Sequence, residues 1–255
     1  MTTDDWIRCF QPAPQSRARL VCLPHAGGSA SYFRPFTQGF DPSSLEVLAV
    51  QYPGRQDRRR DPCVPSVEGL AEQTAEALTP WLDKPLALFG HSMGALVGFE
   101  LARRLEARGA ELLVLFASGR RAPSRRRPEN IHRRDDAGII AEIKYLGGTN
   151  AKLLDDPEIV EMIMPAIRGD YTAVETYKCP PEVAISTSIV ALTGADDPRA
   201  SLPEVRAWSE HTTGEFDLRV YPGGHFYLEH QRTELINEVA DRLLRGDRRK
   251  RAIYS

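Results

Sequence analysis

The stretch Gly90-His91-Ser92-Met93-Gly94 is where this chain most plainly offers chemistry. A serine hydroxyl attacks a carbonyl only when a base takes its proton and nearby donors receive the charge that develops on the oxygen. The pentapeptide fits G-x-S-x-G, in which a serine is presented on a sharp turn between a strand and a helix. Its flanks meet that requirement. The apolar run Pro85–Phe89 precedes it, and the helix-forming stretch Met93–Arg108 follows. Neighbours two residues to either side must be small for so tight a turn, and both are glycine. The helix N-terminus beneath the serine favours negative charge. Gly94 and Gly98 also let that helix approach the strands closely.

A base must come next. The six histidines are His25, His91, His132, His211, His225 and His230. Only His225 follows a late strand candidate and precedes a helix, on a loop that Gly223 and Gly224 let turn sharply. His25 and His91 flank the serine and read as hydrogen-bonded structural groups. His132, His211 and His230 read as surface or structural. The acid that would orient His225 lies in Thr193-Gly194-Ala195-Asp196-Asp197-Pro198. Asp197 is the better candidate, and Asp196 then reads as a turn residue bonding its own backbone. Serine, acid, histidine is the chain order of α/β-hydrolases. The small-residue loop Pro24–Ala30 supplies the first expected oxyanion donor, the backbone N–H of Ala26, with Gly27 as the alternative. The second is the N–H of Met93. A plain turn without a catalytic role is the other reading of that loop.

These residues need a scaffold that brings loops together. Strands are expected over Leu20–Leu23, Leu45–Gln51, Leu86–Phe89, Leu112–Ala117, Ser188–Leu192 and Phe216–Tyr221. Most are continuously apolar, as strands buried on both faces must be. Helices are expected over Ser66–Leu82, Met93–Arg108, Leu202–His211 and Glu229–Leu244, with Ser66 capping the first and Gly109 ending the second. The alternation implies a mostly parallel sheet flanked by helices, in one domain spanning 1–255. About 120–185 interrupts the rhythm with two helices, Asp135–Leu146 and Pro157–Tyr177, and reads as a lid over the site. Their apolar residues (Ile139, Ile140, Ile143, Tyr145, Leu146, then Ile159, Met162, Ile163, Met164, Ile167) are expected mainly to pack, with some lining a pocket over the site. The basic segment 246–255 reads as a disordered tail.

Composition excludes several classes. The formal net charge is −2, with 42% hydrophobic and 27% charged residues, so no global field points to nucleic acid or a membrane surface. The N-terminus lacks a signal-peptide pattern, and no apolar run approaches a membrane span of roughly 20 residues. The four cysteines, Cys9, Cys22, Cys63 and Cys179, are scattered and read as reduced thiols of a cytoplasmic protein. No spacing implies a metal or a cofactor, and nothing demands an oligomer. Arginine is concentrated in Arg55, Arg58, Arg59 and Arg60, and in Arg120, Arg121, Arg125, Arg126, Arg127, Arg133 and Arg134. Such a cluster suits either a basic rim near the mouth of the site or a solvated loop.

Taken together, HAGGSASYF, QYPGRQDR, PLALFGHSMGALVGFELAR, LTGADDP and YPGGHFYLEH resemble the type II thioesterases that accompany polyketide and nonribosomal peptide synthases. The likeness runs from about Leu20 to Glu229. It departs at Gln56, where a glutamate more often follows Gly-Arg. The resemblance implies an α/β-hydrolase fold and hydrolysis of acyl thioesters on the phosphopantetheine arm of an acyl or peptidyl carrier protein. Ser92 would be the nucleophile, His225 the base and Asp197 its orienting acid, with no cofactor or metal. The competing readings are a carboxylesterase or acyl-CoA thioesterase for small soluble substrates, and a non-catalytic carrier-protein binder.

Overall fold

The computed structural model of the chain describes residues 5–147 and 153–253, with the backbone alone for 153 and 244–253. Seven strands are present: β1 Ile7–Arg8, β2 Ala18–Leu23, β3 Leu45–Val50, β4 Leu86–His91, β5 Leu112–Ser118, β6 Ile189–Gly194 and β7 Phe216–Tyr221. They form one sheet in the order β1-β3-β2-β4-β5-β6-β7. All neighbours are parallel except β1, which pairs antiparallel with the β3 edge. Every expected strand is found, β7 with the expected bounds and the others with ends within two residues of them. β1 was not expected, because two residues are too short to carry a pattern.

The helices are α1 Arg34–Thr37, α2 Val67–Ala77, α3 Met93–Ala107, α4 Asp136–Leu146, α5 Pro157–Thr176, α6 Leu202–Arg206, α7 Tyr227–His230 and α8 Arg232–Ile253. Ser66 Oγ accepts the N–H of Gly69 at 3.2 Å and caps α2. α2 stops at Ala77, and a separate 3-10 turn covers Thr79–Trp81, because Pro80 disfavours helical backbone at the residue before it. The helix expected over Leu202–His211 is α6 followed by a 3-10 turn over Ala207–His211. Ser201 and Glu204 form a reciprocal capping box at its start, a signature present in the sequence as S-x-x-E. α8 continues to Ile253 through most of the stretch expected to be a disordered tail. Its Arg and Lys residues are good helix formers.

Successive strand residues point to opposite faces, and this divides the interior in two. Val21, Leu23, Leu48, Val50, Leu88 and Leu115 face a core shared with α2 and α3. Leu20, Cys22, Val47, Ala49, Phe89 and Phe116 face a second core closed by α1 and α8. Both faces are therefore apolar, which is why the runs do not alternate. α3 lies close to the strands: a Cβ on Gly94 would overlap the backbone of Leu23, and one on Gly90 the backbone at Gly94.

Between β5 and β6 lies the expected insertion. Asp135 caps α4 and Asp156 caps α5 through their carboxylates. Ile139, Met164 and Ile167 are buried in a small core of the insertion's own, with Ile131. Packing therefore accounts for these residues, whereas Tyr145 and Met162 are exposed. The insertion is tied to the body by a buried pair. The Arg55 guanidinium grips the Asp170 carboxylate of α5 with bonds of 2.7 and 2.9 Å. Asp170 also accepts the N–H of Gly27 at 2.7 Å, and Arg55 donates to the Gly28 carbonyl at 3.1 Å. One ion pair thus joins the β2–α1 loop, the β3–α2 loop and the long helix of the insertion.

Two substitutions test these packing claims. Gly94→Ala should cost about 3 kcal/mol or more, because backbone rather than a movable side chain blocks the new methyl. Gly109→Ala should cost only about 1–2 kcal/mol: the site is open, and the cost is its left-handed φ of +74°. Equal losses in chemical denaturation would refute the close approach of α3. Asp170→Asn should remove about 3–5 kcal/mol by leaving Arg55 buried without a counter-charge. The double change Arg55→Met with Asp170→Leu should restore much of that, and a double variant as unstable as the single one would contradict the ion-pair account.

Candidate active site

Ser92 lies between β4 and α3 with φ +55° and ψ −112°, a conformation that non-glycine residues rarely hold. Its backbone is pinned by a 2.8 Å bond from its N–H to the Ser118 carbonyl on β5. The strain is local, and the surrounding sheet offsets it. The serine's hydroxyl meets the Nε2 of His225 at 3.0 Å. Two glycines shape the loop that carries His225. Gly223 has φ +113°, and a Cβ on Gly194 would overlap the Gly223–Gly224 backbone. On the other side of the ring, Nδ1 lies 3.1 and 2.9 Å from the two oxygens of Asp197.

A carboxylate accepts only, so Nδ1 carries the proton and Nε2 presents its lone pair to Ser92. Asp197 is buried and also accepts the N–H of Arg199 at 2.8 Å. Asp196 is exposed, and its N–H is bonded to the Gly223 carbonyl. The two aspartates are thus separated by burial and direction, which adjacent positions in the sequence cannot reveal.

The expected oxyanion donors are arranged consistently with that role. Gly27, the alternative, spends its N–H on Asp170. The N–H groups of Ala26 and Met93 make no hydrogen bond among the described residues. Met93 is the first residue of α3, where no carbonyl of its own helix precedes it.

The other histidines are accounted for, His230 being exposed at the end of α7. His91 Nδ1 is 3.0 Å from Ser118 Oγ, which is 2.8 Å from the Tyr227 hydroxyl. His211 is buried between the Val183 carbonyl and Ser124 Oγ, and His132 pairs with Glu175. His25 differs from expectation: its Nδ1 is buried without a partner, and its ring is held edge-on by Tyr32 and Phe226.

Most of the clustered arginines do not form a rim. Arg55, Arg58, Arg120 and Arg121 are buried. Arg125, Arg127 and Arg134 pair with Glu210, Glu204 and Glu142. These carboxylates come from other parts of the chain, so the pairing was invisible in the arginine run itself. Arg59, Arg60, Arg126 and Arg133 are the exposed remainder.

Ser92, His25 and Ala26 open into a cavity of about 630 Å³, counted to its mouth. Its other walls come from the insertion and the strand ends: Ile131, Ile143, Leu146, Tyr171, Val174 and, at one side, Arg120, Glu129, Glu175 and Arg199. A larger cavity of about 930 Å³ is lined by Ala18, Phe40, Leu45, Pro85, Leu113 and Leu243. It lies at the N-terminal ends of the strands, away from the serine. Ligands of open α/β sheets bind at the carboxyl ends, where Ser92 stands. All four cysteines are free thiols. Among the described residues no His, Cys, Asp and Glu cluster could hold a metal, and no helix is long and apolar enough to cross a membrane.

Burial drives the pKa of His25 down to about 3, and that of His91 well below its ordinary value, with His225 adding to both. Both rings stay neutral in the fold but take up a proton in the unfolded chain below about pH 6.5. The unfolded state then binds more protons, so stability is lost as pH falls. Between about pH 7.5 and 5.5 the loss should be about 1.4 kcal/mol per ring. Urea unfolding at the two pH values measures it. Burial lowers His211 as well, so His91→Asn should remove about 1.4 kcal/mol of a larger total difference, and an undiminished difference would place its source elsewhere.

The sequence matches the family model described as thioesterase domain over residues 18–243. It is 52% identical over 241 residues to the thioesterase PikA5 of Streptomyces venezuelae, covering 94% of this chain and 85% of that protein. It is 50% identical over 246 residues to the probable cadicidin biosynthesis thioesterase of Streptomyces griseus, covering 95% and 68%. Among solved structures, the type II thioesterase BorB from the borrelidin biosynthetic cluster superposes with a TM-score of 0.88 at 46% identity, covering 95% of this chain and 99% of that one. The strand–turn–helix that carries Ser92, the sheet beneath it and the helical insertion above are thus those of a known group, and the chain belongs to the thioesterase family of the α/β-hydrolase fold.

Proposed function

We propose that this enzyme hydrolyses acyl thioesters on the phosphopantetheine arm of acyl or peptidyl carrier proteins, clearing aberrant acyl groups in polyketide or nonribosomal peptide antibiotic biosynthesis. The observation that carries the reading is the hydrogen-bonded series Ser92–His225–Asp197 opening into a cavity walled by the insertion. The relatives described as thioesterases of biosynthetic clusters support its context. In this reading residues 1–255 are one catalytic unit, with 120–185 as its lid.

The chemistry follows from the protonation states. Ser92 Oγ bonds to the thioester carbon while His225 Nε2 takes its proton, and the carbonyl oxygen becomes an oxyanion. The N–H groups of Ala26 and Met93 stabilise that charge, a contribution of about 10²–10³ in rate for each donor. Collapse breaks the carbon–sulfur bond, and His225 returns the proton to the departing pantetheine sulfur. Water then attacks the acyl-enzyme with His225 again as base, releasing the carboxylic acid and restoring the serine. Asp197 holds the ring in the required tautomer and stabilises its charged form.

Acyl-carrier protein incubated with the enzyme should lose its acyl mass while keeping the pantetheine arm, as read by intact-protein mass spectrometry. Ser92→Ala should slow this by about 10⁴–10⁶-fold without lowering thermal stability. Undiminished hydrolysis by that variant would end the assignment of Ser92. Better turnover of acyl-CoA or p-nitrophenyl esters than of acyl-carrier protein would favour a small-molecule hydrolase instead.

A further inference from the structure

Arg120 follows the end of β5 and is 9% exposed. Its main chain is fixed, since its carbonyl accepts the Trp208 Nε1–H at 2.8 Å and the preceding Gly119 has φ +59°. Its guanidinium is not committed. Nε is buried without an acceptor, and the side chain has no hydrogen bond or ion pair among the described residues. The carboxylates nearby are spent on others: Glu129 pairs with Arg121 and Arg199, Glu142 pairs with Arg199, and Asp197 faces His225. Buried donors in folded proteins are nearly always satisfied, and an exception asks for an explanation.

The explanation lies in where Arg120 sits. It lines the cavity that holds Ser92, beside the apolar walls Ile131, Ile143, Leu146 and Val174. An acyl chain attached to Ser92 has this cavity to fill. We propose that Arg120 is a specificity-determining residue of the proposed thioesterase, its guanidinium donating a hydrogen bond to a neutral oxygen, hydroxyl or keto, on the acyl chain. A wholly apolar chain would displace water from the guanidinium and return nothing, leaving a buried donor unpaired.

The rest of the chamber selects a neutral oxygen over a carboxylate. The charged side chains lining it are two cations, Arg120 and Arg199, and two carboxylates, Glu129 and Glu175. A carboxylate on the chain would face Glu129 and Glu175, whereas a neutral oxygen meets no such repulsion. Burial and the adjacent Arg121 lower the pKa of Arg120 to about 9, which leaves it cationic at neutral pH and short of a partner. The inference rests on the reading above and narrows its substrate class.

The test compares kcat/KM on carrier-bound butyryl with 3-hydroxybutyryl, hexanoyl with 5-hydroxyhexanoyl, and malonyl as the anionic contrast. The wild-type enzyme should favour the hydroxylated member of at least one pair by about 10-fold or more, the size expected of a hydrogen bond to a charged donor. In Arg120→Met that preference should fall towards unity, and Arg120→Lys should keep part of it. Hydrolysis of all thioesters by the wild type with no preference in either pair overturns the role of Arg120 alone, and so does a preference that Arg120→Met leaves intact. Malonyl favoured over the hydroxylated chains overturns the choice of a neutral oxygen. Hydrolysis of none of them overturns the thioesterase reading and this one with it. Should Arg120→Met fail to fold, the wild-type substrate pairs still decide.

Discussion

The turn at Ser92 can exist only because two backbones come closer than side chains allow. Gly90 and Gly94 sit where a Cβ would strike main-chain atoms of the α3 start and of β2. That closeness lets β4 end, reverse into α3 and leave a serine at φ +55° standing above the sheet. It also places the Met93 N–H at the head of a helix, free of an internal partner. The serine above the sheet, the unpartnered Met93 N–H and the helix dipole beneath them are consequences of one steric permission. The strain is held by a rigid support, since β4 is a central strand bonded on both sides to β2 and β5.

A parallel sheet does the rest by directionality. The strands from β2 to β7 all end at the same edge, so the loops that follow them share one rim. Ala26 follows β2, Ser92 follows β4, Arg120 follows β5, Asp197 follows β6 and His225 follows β7. Residues far apart in the chain thereby meet. The insertion is anchored at the same rim by Arg55 and Asp170, which also orders the Gly27–Gly28 backbone. Holding the insertion and ordering that turn are therefore one interaction.

Beneath the rim the histidines divide by environment. His25 and His91 are buried, neutral and packed around Phe226, while His225 has a carboxylate on one nitrogen and a hydroxyl on the other. Two uncharged rings beside His225 supply bulk without adding positive charge. Arg120 is the one guanidinium among the described residues lining this cavity that lacks a counter-charge, and the pocket's chemistry is accordingly mixed: apolar for most of the chain, polar at one wall.

The order Ser92, Asp197, His225, the glycines around them and six of the seven strands were legible in the chain itself. Each rests on local rules: burial on both faces makes a run apolar, and a sharp turn demands glycine. β1 escaped because two residues hold no period. The choice of Asp197 over Asp196, the loss of the Gly27 N–H to Asp170, and the burial or pairing of much of an arginine-rich run could not be read so. They depend on which side chains arrive from distant segments: Gly27 and Asp170 are 143 residues apart. Sequence by itself determined what kinds of groups this protein owns and the elements that carry them. Tertiary structure decided which of those groups are already spent on one another and which remain to meet a substrate, because a hydrogen bond or ion pair is satisfied by proximity in space and leaves no mark on spacing along the chain.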